Sequence, residues 1–214
     1  MNILDFIKKE FNEDSIIFEI GCHMGLDTVK IKQITNTNSY HCFECDPRNV
    51  EILKRENIDI ILNEIAVYNI DGETDFYQST GNPGVRFDES ILNENDWTAS
   101  SSIKRPKKHL EVTPWCGFTE PIRVKSIRID TYCKQNSVDK IDFVWMDVQG
   151  AEREVFEGFG EMLENTKYIY TEYSDQELYE GGIMSKKDII QVLGENWQIL
   201  HDFGNDLLIE NKKI

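Results

Sequence analysis

The sequence has little of what marks exported, membrane-spanning or nucleic-acid-binding proteins. Its longest run without a charged residue, Gln33 to Phe43, is mostly polar and too short to span a membrane. The N-terminus, MNILDFIKKEFNED, lacks the apolar core of a secretory signal. Basic residues are few: 23 Lys and Arg against 39 Asp and Glu give a net charge of −16, which disfavours non-specific binding to nucleic acid. We therefore expect a soluble, cytoplasmic protein.

Cysteine is also sparse, with five residues in 214. Without an export signal, free thiols are the expected state. Cys42 and Cys45 form a C-x-x-C pair, a spacing that occurs in redox and zinc sites. Because no second C-x-x-C or pair of histidines completes a metal site, we do not assign such a role.

Alternating apolar strands and helix-like segments are what the sequence does contain. Strands are predicted at 15–20, 40–43, 58–62, 141–146 and 168–170, and helices at 25–34, from Pro47, at 151–156 and at 186–193. Residues 122–129 alternate apolar with basic side chains, as in an exposed or edge strand. The last strands, 197–200 and 207–209, are predicted to form an antiparallel hairpin. The pattern predicts an α/β fold with a mostly parallel sheet.

The middle of the chain interrupts this alternation. Four of the five prolines and two of the four tryptophans fall between residues 83 and 121. A long segment without periodicity is either functional or disordered, and its aromatic content favours function. We interpret residues 79–121 as an insertion facing the substrate, within a single domain covering residues 1–214.

The turn after the first strand holds the first candidate binding residues. Gly21 suits a tight turn and Gly25 a close approach at the helix start. A dinucleotide fingerprint needs glycine where His23 and Leu26 stand, so it is absent. Glu19, before the first glycine, would repel a pyrophosphate and suits a cationic ligand such as S-adenosylmethionine.

Glu44 ends the second strand and is the second candidate. A carboxylate at this place in a nucleoside-binding fold accepts both ribose hydroxyls. The alternative is an ordinary strand–helix turn with solvated carboxylates.

Beyond these features, the sequence resembles the FkbM-type methyltransferases. The resemblance runs over residues 15–210 and is carried by FEIGCHMGLDT, FECDP, NEIAVYNIDGE, SSI, RIDTY, IDFVWMDVQGAEREVFEG and YTEYS. It implies a class I, Rossmann-like methyltransferase domain with a seven-stranded sheet, S-adenosylmethionine as cofactor, and methylation of hydroxyl groups. Two departures are His23, where the family often has Asn, and Cys45, where it commonly has Pro.

The resemblance also assigns cofactor contacts. It implies that the methionine part lies near Glu19, Gly21 and Gly25, and the ribose near Glu44. Further residues expected at the cofactor are His23, Thr28, Asp46, Glu64, Ala66 and Ser102. For Thr28 a packing role is an equal alternative.

Carboxylates at the ends of the fourth and fifth strands are the candidate catalytic groups. Asp147 and Glu172, with Glu152 nearby, suit a general base that removes the hydroxyl proton. The same residues with Asp175 suit a divalent cation, Mg²⁺ or Mn²⁺. A third interpretation is that Asp147 and Glu152 cap a helix and pair with Arg153. We note His109 as an alternative base.

The insertion supplies the substrate candidates. Trp97 and Trp115 suit stacking against a sugar ring, and Lys104 and Arg105 belong to a locally basic stretch suited to phosphate. The alternative is a solvated loop.

The sequence thus predicts an O-methyltransferase acting on a sugar or related acceptor. The rival hypotheses are a catalytically silent cofactor-binding or nucleotide-binding module and, less favoured, a dinucleotide oxidoreductase.

Overall fold

Short β-branched and aromatic runs form the strands of this protein, and amphipathic segments form the helices around them. The computed structural model describes residues 1–81 and 97–214. The strands are β1 (Ile16–Ile20), β2 (Ser39–Phe43), β3 (Ile61–Asn63), β4 (Ala66–Val67), β5 (Gly72–Phe76), β6 (Ser79–Gly81), β7 (Cys116–Phe118), β8 (Ile122–Ile127), β9 (Ile141–Met146), β10 (Thr166–Glu172), β11 (Trp197–Asp202) and β12 (Asp206–Asn211). The helices are α1 (Ile3–Glu10), α2 (Leu26–Thr35), α3 (Pro47–Glu56), α4 (His109–Val112), α5 (Ile129–Asn136), α6 (Glu152–Phe159) and α7 (Lys186–Leu193), and Gly160–Asn165 forms a 3-10 helix.

The main sheet has the strand order β11-β12-β10-β9-β1-β2-β3 across the described residues. The pairs from β3 to β10 are parallel, whereas β12 is antiparallel to both β10 and β11. The predicted α/β class, the mostly parallel sheet and the antiparallel C-terminal hairpin are confirmed. The chain order reverses between β1 and β9, which opens a crevice at the carboxyl ends of these strands.

Both faces of the sheet are covered by apolar side chains, as a parallel sheet requires. On one face, Phe18 packs with Phe156 and Phe159 in a cluster that also includes residues of α5 and α7. On the other, Ile17 packs with Ile31 and residues of α1 and α3. None of the helices in the described ranges is long and apolar enough to cross a membrane.

Two smaller sheets lie beside the main one. β4, β8 and β5 form a three-stranded sheet, and β6 pairs with β7. Of the two alternatives for residues 122–129, an exposed or an edge strand, the edge position was wrong, because β8 lies between β4 and β5 and ends at Ile127. Its alternation remains visible, since Val124 and Ser126 are buried while Arg123 and Lys125 are exposed.

The insertion proposed for residues 79–121 is only partly within the described residues, and Pro83 lies outside them. From Trp97 onwards the segment contains α4 and β7, so it is more regular than its composition indicated. Residues 98–103 run along the crevice and form part of its lining.

Candidate active site

A cleft of about 200 Å³ lies at the carboxyl ends of β1, β2 and β9. Seven of the predicted site residues line it: Glu19, Gly21, His23, Glu44, Ala66, Ser102 and Asp147. They come from five separate segments of the chain, which the strand order brings together. Apolar side chains, among them Phe43, Ile65 and Phe76, complete the lining.

Glu19 is held at the base of the cleft by neutral donors. Its Oε2 accepts hydrogen bonds from the hydroxyls of Thr28, at 2.6 Å, and Tyr40, at 2.8 Å. Within the described residues Glu19 forms no ion pair, and burial raises its pKa to about 7. Such a carboxylate is fixed in position but lacks a compensating positive charge, so the base of the cleft favours a cation.

Glu44 is fixed by the backbone. The main-chain N–H groups of His23 and Asp46 donate to its two carboxylate oxygens at 2.8 and 2.7 Å. Desolvation by burial is the largest influence on Glu44 and raises its pKa to about 8. Both oxygens retain acceptor capacity, which suits a ligand with two neighbouring hydroxyls.

Two glycines shape the turn between β1 and α2, for different reasons. Gly21 has φ +82°, and a Cβ there would lie 1.9 Å from the carbonyl oxygen of Asp147. Gly25 has φ +83°, but a Cβ there would meet Leu53 at 2.7 Å. Gly25 does not line the cleft, so the structure gives it a packing reason in place of the ligand contact that we expected.

Three other predicted cofactor residues do not line the cleft. Thr28 is fully buried and uses its hydroxyl to hold Glu19. Asp46 caps α3, and its carboxylate is occupied by Arg48, at 2.6 Å, and by Gln78, at 2.9 Å. Glu64 is exposed and pairs with Lys54. The structure therefore gives no support for direct cofactor contacts by these side chains.

The carboxylates at the ends of β9 and β10 lie on two adjoining cavities. Asp147 lines the main cleft, whereas Glu172 and Glu152 line a smaller cavity next to it. Gln149 lines both, and its amide nitrogen lies 2.7 Å from Asp147 Oδ1 and 3.5 Å from Glu172 Oε2. The three predicted carboxylates are thus brought together, with an amide that sequence analysis did not single out.

Burial and mutual repulsion determine the electrostatics of this group. Desolvation by burial raises the pKa of Asp147. It also raises the pKa of Glu172, and repulsion from the Asp147 carboxylate raises that pKa further. The pKa of Glu152 rises to about 7 because it is buried, although its Oε1 accepts the Gly150 N–H at 3.1 Å. The alternative in which Asp147 and Glu152 cap a helix and pair with Arg153 was wrong, because α6 has no side-chain cap at Ala151 and neither acid pairs with Arg153 within the described residues. Carboxyls with raised pKa values are suited to accepting a proton near neutral pH.

The divalent-cation site proposed for Asp147, Glu172 and Asp175 is not formed. Asp175 is exposed and lines neither cavity. The bridge between Ser174 and Met184 ties the chain back just before Asp175, so its side chain is outside the group. Over residues 1–81 and 97–214, no cluster of His, Cys, Asp and Glu has the arrangement of a metal site.

His109, the alternative base, is buried away from the cleft. Its ring packs against Phe118 and Tyr179, and it lines neither cavity. Desolvation lowers the pKa of His109. These surroundings are those of a core histidine in the insertion.

The substrate candidates lie beside the cleft without lining it. Trp97 packs edge-to-face against Trp115, with ring centroids 5.3 Å apart. Lys104 pairs with Glu154 on α6, and Arg105 is exposed. A contact between any of these residues and a substrate remains a prediction.

Four residues that shape the site were not predicted from the sequence: Tyr40, Asn49, Thr98 and Gln149. Tyr40 and Asn49 read as ordinary strand and helix residues, and their roles depend on neighbours distant in sequence. Thr98 sits in a segment without periodicity. Gln149 carried no signal either, because glutamine is not among the residues that favour the left-handed backbone it adopts at φ +51°.

Comparison with known proteins shows which family the chain belongs to. The model of the methyltransferase FkbM domain matches residues 19–207. The chain belongs to the FkbM methyltransferase family. It is 36% identical over 207 residues to the 2-O-methyltransferase NoeI of Sinorhizobium fredii, covering 94% of this chain and 81% of that protein. The resemblance inferred from the sequence is confirmed.

A solved member of the FkbM family supports the fold. The methyltransferase FkbM of Methylobacillus flagellatus superposes with a TM-score of 0.53 at 12% identity, covering 93% of this chain. This chain spans 44% of the length of that protein. At this identity the match concerns the fold alone, which is the class I methyltransferase fold predicted from the sequence.

Proposed function

We propose that this FkbM-family protein is an S-adenosylmethionine-dependent O-methyltransferase whose acceptor is a hydroxyl of a sugar or related small molecule. The observation that carries the proposal is the pair Glu19 and Glu44, two fixed and uncompensated carboxylates that line one cleft at the carboxyl ends of neighbouring parallel strands.

The residues of the cleft suit each part of this cofactor. Glu19 would attract the positively charged methionine end, and Glu44 would accept hydrogen bonds from the ribose hydroxyls. The apolar side chains of Ile65, Phe76 and Ile103 would pack against the adenine. Ala66 lies in this same part of the lining.

S-adenosylmethionine supplies an activated methyl group, so the protein's task is alignment and removal of one proton. The acceptor oxygen forms a bond to the methyl carbon while the carbon–sulfur bond breaks and its electron pair stays on sulfur. In our proposal the hydroxyl proton passes to the carboxylate pair Asp147–Glu172. Asp147 faces the cleft and Glu172 the adjoining cavity, so together they border the space where an acceptor would sit.

The charges around the cleft favour a neutral acceptor over a phosphorylated one. Of the two cations that we expected to hold phosphate, Lys104 pairs with Glu154, and Arg105 is exposed and lines neither cavity. The lining itself is acidic, so an anionic acceptor would be repelled. A polyhydroxylated, uncharged ring meets this environment best.

Measuring release of S-adenosylhomocysteine with a panel of acceptors tests the proposal. Because the relative from Sinorhizobium fredii is described as a 2-O-methyltransferase, the panel pairs neutral sugars with their 2-deoxy and phosphorylated analogues. We expect product with a neutral sugar and none with its 2-deoxy analogue. Binding of S-adenosylmethionine without product from any acceptor would instead support the silent binding module.

A further inference from the structure

Residues 97–103 form a segment beside the cleft, and five of them, Thr98, Ala99, Ser101, Ser102 and Ile103, line it; we call this segment the insertion wall. Hydrogen bonds hold this wall to β6 and to the residues just before β6. The hydroxyl of Ser79 donates to the carbonyl of Trp97 at 2.8 Å, and the Ser102 N–H donates to the carbonyl of Tyr77 at 3.1 Å. Thr98, on the inner side, is 6% exposed and lines the cleft.

Thr98 connects this wall to the turn after β1 and to α3. Its hydroxyl lies 2.7 Å from Nε2 of His23, in the turn after β1, and donates to Oδ1 of Asn49 on α3 at 2.9 Å. A threonine hydroxyl has one hydrogen, and here that hydrogen goes to Asn49. His23 must therefore donate from Nε2 to Thr98, which fixes both the tautomer and the direction of the chain of hydrogen bonds.

His23 also contacts the ribose carboxylate of the proposed function. Its main-chain N–H donates to Glu44 at 2.8 Å, while its ring reaches Thr98. Burial lowers the pKa of His23 to about 4, so the ring is neutral at physiological pH, as the donor–acceptor pattern requires. One residue thus links the position of Glu44 to that of the insertion wall.

We propose that Thr98 is a positioning residue for the cofactor, which holds the insertion wall against the turn after β1 through His23 and Asn49 and so slows release of the cofactor. This inference rests on the proposed cofactor site. Its physical basis is that hydrogen bonds in a desolvated site are strong, and that loss of the hydroxyl would leave a buried donor and a buried acceptor without partners.

Two substitutions remove this link from opposite sides. Thr98→Val keeps the shape of the side chain but removes the hydroxyl. His23→Asn keeps the main-chain N–H to Glu44 and tolerates the left-handed backbone at φ +50°, yet loses the ring nitrogen that reaches Thr98. The double variant completes a mutant cycle.

Calorimetry and stopped-flow kinetics with S-adenosylhomocysteine measure the effect. We expect each single variant to weaken binding about tenfold, mostly through faster dissociation, and the double variant to be no weaker than either single one. Thr119→Val is the matched control, since Thr119 is exposed and outside both cavities. Unchanged affinity in Thr98→Val, or effects that add in the double variant, would overturn the inference.

Hydrogen exchange in the protein without cofactor separates this inference from the proposed function. Peptides covering residues 97–103 are expected to exchange faster in Thr98→Val than in the wild type or in Thr119→Val. Equal exchange rates would contradict the link itself. If the wild type failed to bind S-adenosylhomocysteine, the proposed function would fall, while the exchange comparison would still decide whether Thr98 holds the wall.

Discussion

At the scale of single residues, the site depends on carboxylates that the protein buries without neutralising. Glu19 and Glu44 accept hydrogen bonds from hydroxyls and main-chain N–H groups, and neither forms an ion pair within the described residues. Burying such groups costs stability. A positively charged, hydroxyl-bearing ligand offsets that cost, which is why we regard these two side chains as the basis of cofactor recognition.

Substitution of Glu44 tests the ribose contact. Glu44→Ala should weaken binding of S-adenosylhomocysteine by about 1–3 kcal/mol, the scale for losing a charged hydrogen-bond partner. Glu64→Ala provides the contrast, because Glu64 is exposed and paired with Lys54, and should leave the affinity unchanged. Titration calorimetry measures both. Equal affinities for the two variants would remove Glu44 from the cofactor site.

Cofactor affinity should depend on pH near neutrality. The pKa values of Glu19 and Glu44 are raised to about 7 and about 8, so both carboxyls become protonated as the pH falls from 8 to 6. A protonated Glu19 no longer attracts a cation, and we expect the affinity for S-adenosylmethionine to fall by up to about tenfold per pH unit from this group. Glu19→Gln should flatten the dependence. An equally steep profile in that variant would contradict the assignment.

Asp147 is the residue on which the proposed chemistry depends most. Asp147→Asn should lower turnover about a hundredfold or more, because the amide cannot accept the proton, while cofactor affinity changes little. Turnover and calorimetry on the same preparation separate these two effects. Asp5→Asn, on the exposed face of α1, serves as the control. Turnover close to that of the wild type would exclude Asp147 from proton removal.

The positions of the candidate residues at the cleft could be predicted where the backbone alone decides them, while their roles stay predictions. Glu19 and Glu44 stand at strand ends, so the topology places them at the crevice. Whether a predicted residue fails to reach the cleft depends on its neighbours in the fold, which the sequence does not show. Asp46 is occupied by Arg48, and Thr28 turns toward Glu19 instead of the ligand.

At the scale of elements, strands and helices with clear ends were predicted best. β9 and α7 were predicted with their observed bounds. The apolar run of β9 ends before Asp147, and α7 begins after the capping residue Ser185. α1 was missed, although Asn2 caps it through a hydrogen bond to the Leu4 N–H at 2.8 Å. The position of β8 between β4 and β5 depends on pairing between distant segments, which alternation alone does not show.

The turn between β1 and α2 gives a prediction at this scale. Gly21→Ala should destabilise the protein by several kcal/mol more than Gly204→Ala, in the hairpin between β11 and β12. Both glycines have positive φ, which costs alanine about 1–2 kcal/mol. A Cβ at Gly204 meets nothing within 4 Å, whereas at Gly21 it would overlap the backbone of Asp147. Chemical denaturation measures the difference, and equal losses would contradict this reason for glycine.

At the scale of the whole molecule, the sheet brings acidic side chains from separate segments of the chain together in one crevice. The mostly parallel, seven-stranded sheet with its antiparallel C-terminal hairpin was predicted from alternation and the resemblance, and the structure confirms it, whereas the order of the strands was not predicted. The path of the insertion was not predictable, because its contacts with β6, α6 and the turn after β1 join residues far apart in sequence.

The collected acids make global stability depend on pH. Glu19, Glu44 and Glu152 have pKa values of about 7 to 8 in the folded state, above the ordinary 4.5. Above pH 4.5 the folded state then binds more protons at these carboxyls than the unfolded state does. The stability that the three groups contribute is therefore greatest at low pH and is lost as the pH rises through 8. His23 and His41, whose pKa values are lowered to about 4, oppose this trend only below about pH 6.5.

Between pH 6.5 and 8.5, the melting temperature of the cofactor-free protein should therefore decrease. The decrease should be smaller in Glu44→Gln, because that variant has no proton to lose at this position. Thermal denaturation across this range measures both proteins. A melting temperature that rises with pH in the wild type would contradict the raised pKa values.

A crystal structure of the complex with S-adenosylhomocysteine tests the central claim most directly, through the distances from the ribose hydroxyls to the carboxylate oxygens of Glu44. We predict hydrogen-bond distances of about 2.5–3.2 Å, with the amino group of the ligand on the side of Glu19. A ligand bound outside this cleft, or a ribose turned away from Glu44, would contradict the account.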